Sequence, residues 1–337
     1  MNAFQFLGNV LYSQFFVKPP LPTASFANQT VIVTGSNTGI GYEAVKHFIR
    51  LNAAKIILAV RTTAKGDAAI LIIIKETKCD PSRLEVWEFD LASSKSVRGF
   101  VERARNLERL DVVVQNAGIF PPNEWNMSDG MELTLKVNTL NAVYFAYAIL
   151  PKLRESAAKT GLMGRFSFNG SDAMFISGIQ NQTVSGSLMD AFNDPKQSSK
   201  FGDRYALSKA LLFYSMHTMA SQSPVVPGSG SNVLIDAVTP GATKSDIFTR
   251  DKRAWWQVPI IALLNGMARN TDVGARTLVH AVEPNLGPEA HGRFLMNSRI
   301  MMNNPMLGNE KAEVFQKRWK SEILPFLENI EARVTEI

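Results

Sequence analysis

Apolar residues follow two rhythms along this chain. Short runs at Val31–Val33, Lys55–Val60, Asp111–Gln115, Arg165–Asn169 and Val233–Val238 are too brief for helices. Turn-forming residues bound them, as expected of strands buried on both faces. Leu84–Phe89 alternates and predicts a further strand, and Phe294–Met296 a late edge strand. Between these runs, Gly41–Leu51, Lys65–Lys78, Ser94–Asn106, Met131–Leu153 and Tyr205–Ser221 repeat apolar positions at helical spacing. Such alternation predicts the α/β class with a Rossmann-type, doubly wound parallel sheet. Ligands of that architecture bind at the carboxyl ends of the strands.

The flanks behave differently. In residues 1–27, Phe4, Leu7, Leu11 and Phe15 recur at helical spacing and predict an amphipathic helix, followed by a lead-in broken by Pro19, Pro20 and Pro22. Polar residues at Asn2, Gln5, Asn9, Ser13 and Gln14 interrupt this stretch too often for it to span a bilayer. It also lacks the basic start and cleavage site of a signal peptide. Two readings stand: a helix packed on the domain, or shallow membrane contact. The body runs over 28–310 as one domain, and residues 311–337 form a C-terminal helix.

Composition narrows the field. The chain has 337 residues, 45% hydrophobic and 20% charged, an ordinary balance for a soluble domain. Its net charge of +6 is dispersed among acids, with no basic run or interleaved aromatics, so nucleic acid is not the expected partner. A mild basic bias does suit an anionic cofactor. Cys79 is the only cysteine, which rules out an internal disulfide and points to a reducing, cytoplasmic setting, with membrane-peripheral placement as the variant. One cysteine and four unpaired histidines offer no metal site. Monomer and homodimer both remain open.

Candidate chemistry begins directly after the first strand. Thr34-Gly35-Ser36-Asn37-Thr38-Gly39-Ile40-Gly41 is a glycine turn opening a helix, the arrangement that lets backbone approach a pyrophosphate at a helix N-terminus. At the end of the second strand, where an NAD site places an acid for the ribose 2′-hydroxyl, the chain reads Val60-Arg61-Thr62. A guanidinium there fits a 2′-phosphate, so NADP(H) is the expected cofactor. Ser36 and Asn37 could add hydrogen bonds, and Lys65 is a weaker candidate.

The spacing Gly-x-x-x-Gly-x-Gly resembles the short-chain dehydrogenase/reductase family, and the resemblance continues in order through most of residues 30–250. Asp90, followed by Leu91, matches the acid that binds the adenine amino group. Asn116-Ala117-Gly118 matches the family's Asn-Ala-Gly, and Asn138 its helix asparagine that holds a relay water. Ser171 and Tyr205-Ala206-Leu207-Ser208-Lys209 match the serine and the Tyr-x-x-x-Lys signature. Pro240-Gly241, with Thr243 beyond, matches the turn against the nicotinamide. Departures surround the serine: Asn169-Gly170 precede it, and Asp172 follows where a small or apolar residue is usual.

The resemblance implies an oxidoreductase acting on CH–OH or C=O groups. Tyr205 would be the proton donor and acceptor. Lys209, one helical turn on, would favour phenolate and bind the ribose. Ser171 would hold the substrate oxygen. Leu58-Ala59-Val60-Arg61 and Asp272-Val273-Gly274-Ala275-Arg276 are similar to the retinol-dehydrogenase-like branch found in fungal specialised metabolism, which handles hydrophobic ketones, aldehydes and alcohols. The same Tyr–Lys pair also serves non-redox isomerases, cyclases and lyases, and a retained cofactor site can serve a regulatory protein. A bulky apolar small molecule is the expected substrate. Two segments would cover it: 172–204, with Phe175, Ile176, Ile179, Leu188, Met189 and Phe192, and 245–270, with Trp255 and Trp256.

Overall fold

In the computed structural model, which describes residues 3–181, 184, 186–198, 203–244, 266 and 268–337, the apolar runs pair into one eight-stranded sheet. Its parallel strands are β1 (Thr30–Thr34), β2 (Lys55–Val60), β3 (Leu84–Glu88), β4 (Val112–Gln115), β5 (Gly164–Asn169), β6 (Val233–Thr239) and β7 (Phe294–Met296). β8 (Arg299–Ile300) adds antiparallel to β7, so β7 is not the edge. The order is β8-β7-β6-β5-β4-β1-β2-β3. The chain winds one way from β1 to β3 and the other way from β4 to β7, which leaves a crevice above β1 and β4.

Helices α2 (Gly39–Arg50), α3 (Thr63–Thr77), α4 (Ser94–Arg105), α5 (Asn141–Thr160), α7 (Arg204–Gln222) and α8 (Thr271–His280) cover the two faces. Strand residues alternate between two cores. Ile32, Val113, Phe166 and Phe168 belong to the core with α4, α5 and α7, whereas Val31, Val33, Val112 and Val114 face α2 and α8. Both faces are therefore dry, which is why these strands read as unbroken apolar runs.

The C-terminal helix α9 (Glu310–Ile330) buries Phe315, Trp319, Ile323 and Leu327, a single stripe at four-residue spacing. Trp319 Nε1 donates to Ser215 Oγ of α7 at 2.9 Å. Glu322 accepts from Ser187 Oγ and the Leu188 and Met189 amides at 2.8–2.9 Å, capping the short α6 (Leu188–Asn193).

Three expectations need correction. The helix expected from Met131 instead begins as a hairpin, Met127–Ser128 with Met131–Glu132, turned at Asp129 and Gly130 with φ of +48° and +76°. A helical turn and a π-helical segment, Lys136–Leu140, precede α5. Glu132 is the cause: its carboxylate accepts from the Leu135 amide at 2.8 Å and pairs with Arg204 at 2.9 Å, and its own amide donates to Asn193 at 2.6 Å.

In the segment after Ser171, Ile179, Leu188 and Phe192 are committed to the core, Phe192 with its ring 6.2 Å from that of Trp319. They pack under α9 rather than line a substrate cover; Phe175, Ile176 and Met189 keep exposure. Trp255 and Trp256, and nearly all of 245–270, lie outside the described residues.

The N-terminal helix α1 (Ala3–Phe16) docks through Val10, Ser13, Gln14 and Val17, while Phe15 is 61% exposed. The inward face is thus partly polar, and the aromatic side chains Tyr12, Phe15 and Phe16 point outward.

Candidate active site

The crevice is built from the loop after β1. Gly35 has φ of +65°, and a Cβ there would sit 3.0 Å from Ala117 Cα. A Cβ on Gly41 would fall 2.6 Å from Asn116 Nδ2 and 2.7 Å from the Gly35 carbonyl. Only glycine allows that closeness, so the N-terminus of α2 opens bare over the crevice. Asn37, Thr38, Gly39 and Ile40 line this turn and remain partly exposed. Ser36 does not fit its expected role. It is fully buried, and its hydroxyl donates to the Val33 carbonyl at 2.8 Å, holding the turn from beneath.

Asn116, Ala117 and Gly118 join this loop to β4. Asn116 Nδ2 donates to the Thr34 carbonyl at 2.9 Å, and the Asn116 and Ala117 amides donate to Thr34 Oγ1 at 3.0 and 2.8 Å. Thr34 is therefore the knot between the two loops. Its position at the head of the glycine motif was the signal available for it. Beside β3, Asp90 Oδ1 accepts from the Ala92 amide at 3.0 Å, and Leu91 is buried with its carbonyl held by Asn141 at 2.8 Å. At the end of β2, Arg61 is exposed and has no hydrogen-bond or ion-pair partner among the described residues. The cradle, the bare helix end and the free guanidinium fit a phosphorylated dinucleotide.

The acid/base groups gather above β4 and β5. Asn138 lies in the π-helical segment, a distortion common at functional sites. Its Oδ1 accepts from the Ile119 amide at 2.8 Å, and its Nδ2 donates to the Ile119 carbonyl at 2.9 Å and to Ser208 Oγ at 3.0 Å. Both amide hydrogens are spent, so a relay water would be held by the main-chain carbonyl. A Cβ on Gly118 would lie 3.1 Å from Asn138 Oδ1 and 3.7 Å from Lys209 Nζ, so the three positions meet.

Lys209 is 4% exposed, and its Nζ donates to the Asn169 carbonyl at 2.6 Å. Burial lowers its pKa to about 8. Asn169 Nδ2 in turn donates to Asn116 Oδ1 at 3.0 Å, which links the lysine to the cofactor loop. In the sequence Asn169 stands out only as a departure from the family pattern. Gly170 likewise is a fitting piece: a Cβ there would meet the Phe294 ring at 2.9 Å.

Ser171 caps the turn Asp172–Ile176, accepting from the Ala173 amide at 3.2 Å. Its hydroxyl faces both the Tyr205 phenol and the Asp172 carboxylate and lowers the pKa of each. A serine has one hydrogen to donate, so the two acceptors compete for it. Tyr205 stands at the start of α7, where Asp203 accepts from its amide at 2.7 Å. Burial pushes its phenol up to about 12; the Ser171 hydroxyl pulls it down, and Asp172 and Asp203 add to the rise. Lys209 Nζ is 5.7 Å from the centre of the Tyr205 ring, and the Phe120 ring lies 5.3 Å away on its own account. The lowering expected from Lys209 does not offset burial, so the phenol is a held proton at neutral pH.

Beyond Tyr205, the turn after β6 carries Pro240, Gly241 and Thr243. Gly241 has φ of +69°, and Thr243 Oγ1 donates to the Gly241 carbonyl at 3.2 Å. Among the described residues no cluster of three or more metal-ligating side chains occurs, and no helix is long and apolar enough to cross a membrane.

Residues 29–163 match the family model for short chain dehydrogenases. A short chain dehydrogenase/reductase of Cryptosporiopsis sp. is 33% identical over 96% of this chain and 98% of its own. A short chain dehydrogenase of Emericella nidulans is 36% identical over 84% of this chain and 88% of its own. Among solved structures, the short-chain dehydrogenase of Sphingobium yanoikuyae in complex with NADPH superposes with a TM-score of 0.56 at 19% identity, covering 87% of this chain and 94% of that one.

Proposed function

The chain belongs to the short-chain dehydrogenase/reductase family, and from that premise we propose that it is an NADPH-dependent reductase of a bulky, hydrophobic ketone or aldehyde. The observation that carries this reading is the convergence of the Ser171–Tyr205 hydroxyl pair with Lys209 at the rim of the glycine cradle. When bound, NADPH would supply hydride to the carbonyl carbon. Tyr205 would deliver its proton to the carbonyl oxygen, completing the alcohol. Ser171 would donate a hydrogen bond to that oxygen as charge develops. Lys209, whose pKa near 8 lets it give and regain a proton, would return one to Tyr205.

NADP rather than NAD is supported by the unpaired Arg61 at the end of β2 and by the lack of an acid in Val60-Arg61-Thr62. An apolar substrate is supported by Phe120 beside Tyr205 and by the half-buried Phe175 beyond Ser171. The fungal relatives support a place in fungal specialised metabolism, and the single cysteine, Cys79, supports a reducing, cytoplasmic setting. Shallow membrane contact through the outward aromatic face of α1 is part of the same proposal.

NADPH oxidation by the purified protein in the presence of a bulky aryl or alkyl ketone tests the reading. Tyr205→Phe should cut turnover at least a hundredfold while leaving NADPH affinity within about twofold. A Tyr205→Phe enzyme at wild-type rates would show that the proton comes from elsewhere. Arg61→Ala should weaken NADPH far more than NADH in equilibrium binding; equal weakening would remove the NADP assignment.

A further inference from the structure

The last turn of α1 ends against the turn that follows β6, and a single guanidinium joins them. Arg269 is 7% exposed and bridges Thr243 in parallel fashion: its amide donates to the Ala242 carbonyl at 2.9 Å, and its carbonyl accepts from the Lys244 amide at 2.8 Å. Nη1 donates to the Pro240 carbonyl at 3.2 Å. Nη2 reaches the Ser13 carbonyl at 2.5 Å, the Val17 carbonyl at 3.0 Å and Asn297 Oδ1 at 2.8 Å. The orphan carbonyls at the end of α1, a helix with no basic residue in its last turn, thus receive their cation from Arg269.

Gln14 adds a second clasp. Oriented with its oxygen toward the Ala242 amide, its side chain accepts there at 2.8 Å and donates to the Ala242 carbonyl at 3.1 Å. Between the two clasps lies Gly241, where a Cβ would fall 2.8 Å from the Gln14 side-chain oxygen in that orientation and 3.0 Å from Arg269 Nη1. α1 also touches the Asp172–Ile176 turn that follows Ser171.

We propose that Arg269 and Gln14 make α1 a positioning element of the active site, coupling the seat of the N-terminal helix to the Pro240–Thr243 turn. This rests on the reading that the turn lies against the nicotinamide. The physical reason is that a buried guanidinium cannot lose its acceptors cheaply. Displacing α1 strips Arg269 of the Ser13 and Val17 carbonyls, and distorting the turn strips it of Pro240 and Ala242. The two elements hold or release together. A ligand that fixes the turn must then fix α1 to the same degree, because coupling is reciprocal.

Hydrogen exchange of the full chain, with and without saturating NADPH, reads this directly. Amides in 241–244 and in 11–17 should both slow on adding NADPH, those in 11–17 by about fivefold or more. In Gln14→Leu the slowing at 11–17 should fall below about twofold, while that at 241–244 persists. The same variant should raise KM for NADPH more than it lowers kcat, a split that mere loss of packing would not give. Slowing at 241–244 with 11–17 unchanged in the wild-type protein would overturn the coupling and leave the cofactor reading intact. No slowing at 241–244 would overturn the placement of that turn, and the coupling with it.

Discussion

Lys209 is a cation held where cations are costly. Its folded pKa of about 8 lies below the ordinary lysine value of 10.5 because burial penalises the charge. Between pH 8 and 10.5 the unfolded chain therefore carries a proton that the folded chain lacks, and stability attributable to this group rises with pH across that window. Below pH 8 the burial penalty is present in full. Lys209→Met removes the penalty, and with it the bond to the Asn169 carbonyl, a loss of about 1 kcal/mol. The prediction is a variant without turnover whose stability relative to wild type is greatest below pH 8 and declines by about 3 kcal/mol toward pH 10.5. Urea unfolding of both proteins from pH 6.5 to 10 measures it. A pH-independent difference would mean that the lysine charge is not desolvated in the fold. On the proposed mechanism, such a site keeps an unfavourable charge because proton transfer would need it there.

At the scale of elements, the join between β5 and the Ser171 turn is decided by Gly170. A methyl group at this position meets the Phe294 ring at 2.9 Å, and the Gly170 amide is already tied to the Phe168 and Val238 carbonyls. Gly170→Ala should cost about 1–3 kcal/mol through overpacking and lower kcat by displacing Ser171, with NADPH affinity nearly unchanged. Thermal melting and steady-state kinetics check this; an unaltered kcat would show that Phe294 yields and Ser171 keeps its place. The sequence marked Gly170 as a departure, but its reason is a ring more than a hundred residues later. Elements set by local rhythm were legible: the buried strands, the glycine turn, and Tyr205 with Lys209 one turn apart. Elements set by distant partners were not. The break before α5 depends on Arg204 and Asn193 gripping Glu132, although Asp129-Gly130 was a hairpin signal in plain view. Arg269 stands alone in sequence, and only the fold brings it to Ser13, Val17 and Pro240. The amphipathic stripe of α1 misled because Phe15 points out and the polar Ser13 and Gln14 point in.

For the whole molecule, the placement of α1 fixes which side would meet a membrane. Its inner face is locked to the Pro240–Thr243 turn through Arg269, and its outer face shows Tyr12, Phe15 and Phe16 at 63%, 61% and 77% exposure. Tyr12 and Phe16 stack on one another with ring centres 5.8 Å apart, so they present one apolar surface. No described helix can cross a bilayer, and three aromatics support only a reversible, interfacial contact. The net charge of +6 adds attraction to anionic lipid, which falls as salt rises. Contact through this face would bring the catalytic cleft close to the lipid surface, where an apolar ketone concentrates. The full chain should therefore float with vesicles of mixed phosphatidylcholine and phosphatidylserine, and less with phosphatidylcholine alone. Phe15→Ser with Phe16→Ser should cut the bound fraction about fivefold or more, since each buried aromatic contributes on the order of 1.5–3 kcal/mol. Turnover of a water-soluble ketone should not change, because neither side chain faces the site. A wild-type chain that stays in solution with both vesicle types would remove membrane contact from the proposal. A double variant that floats as well as wild type would move the contact to another face.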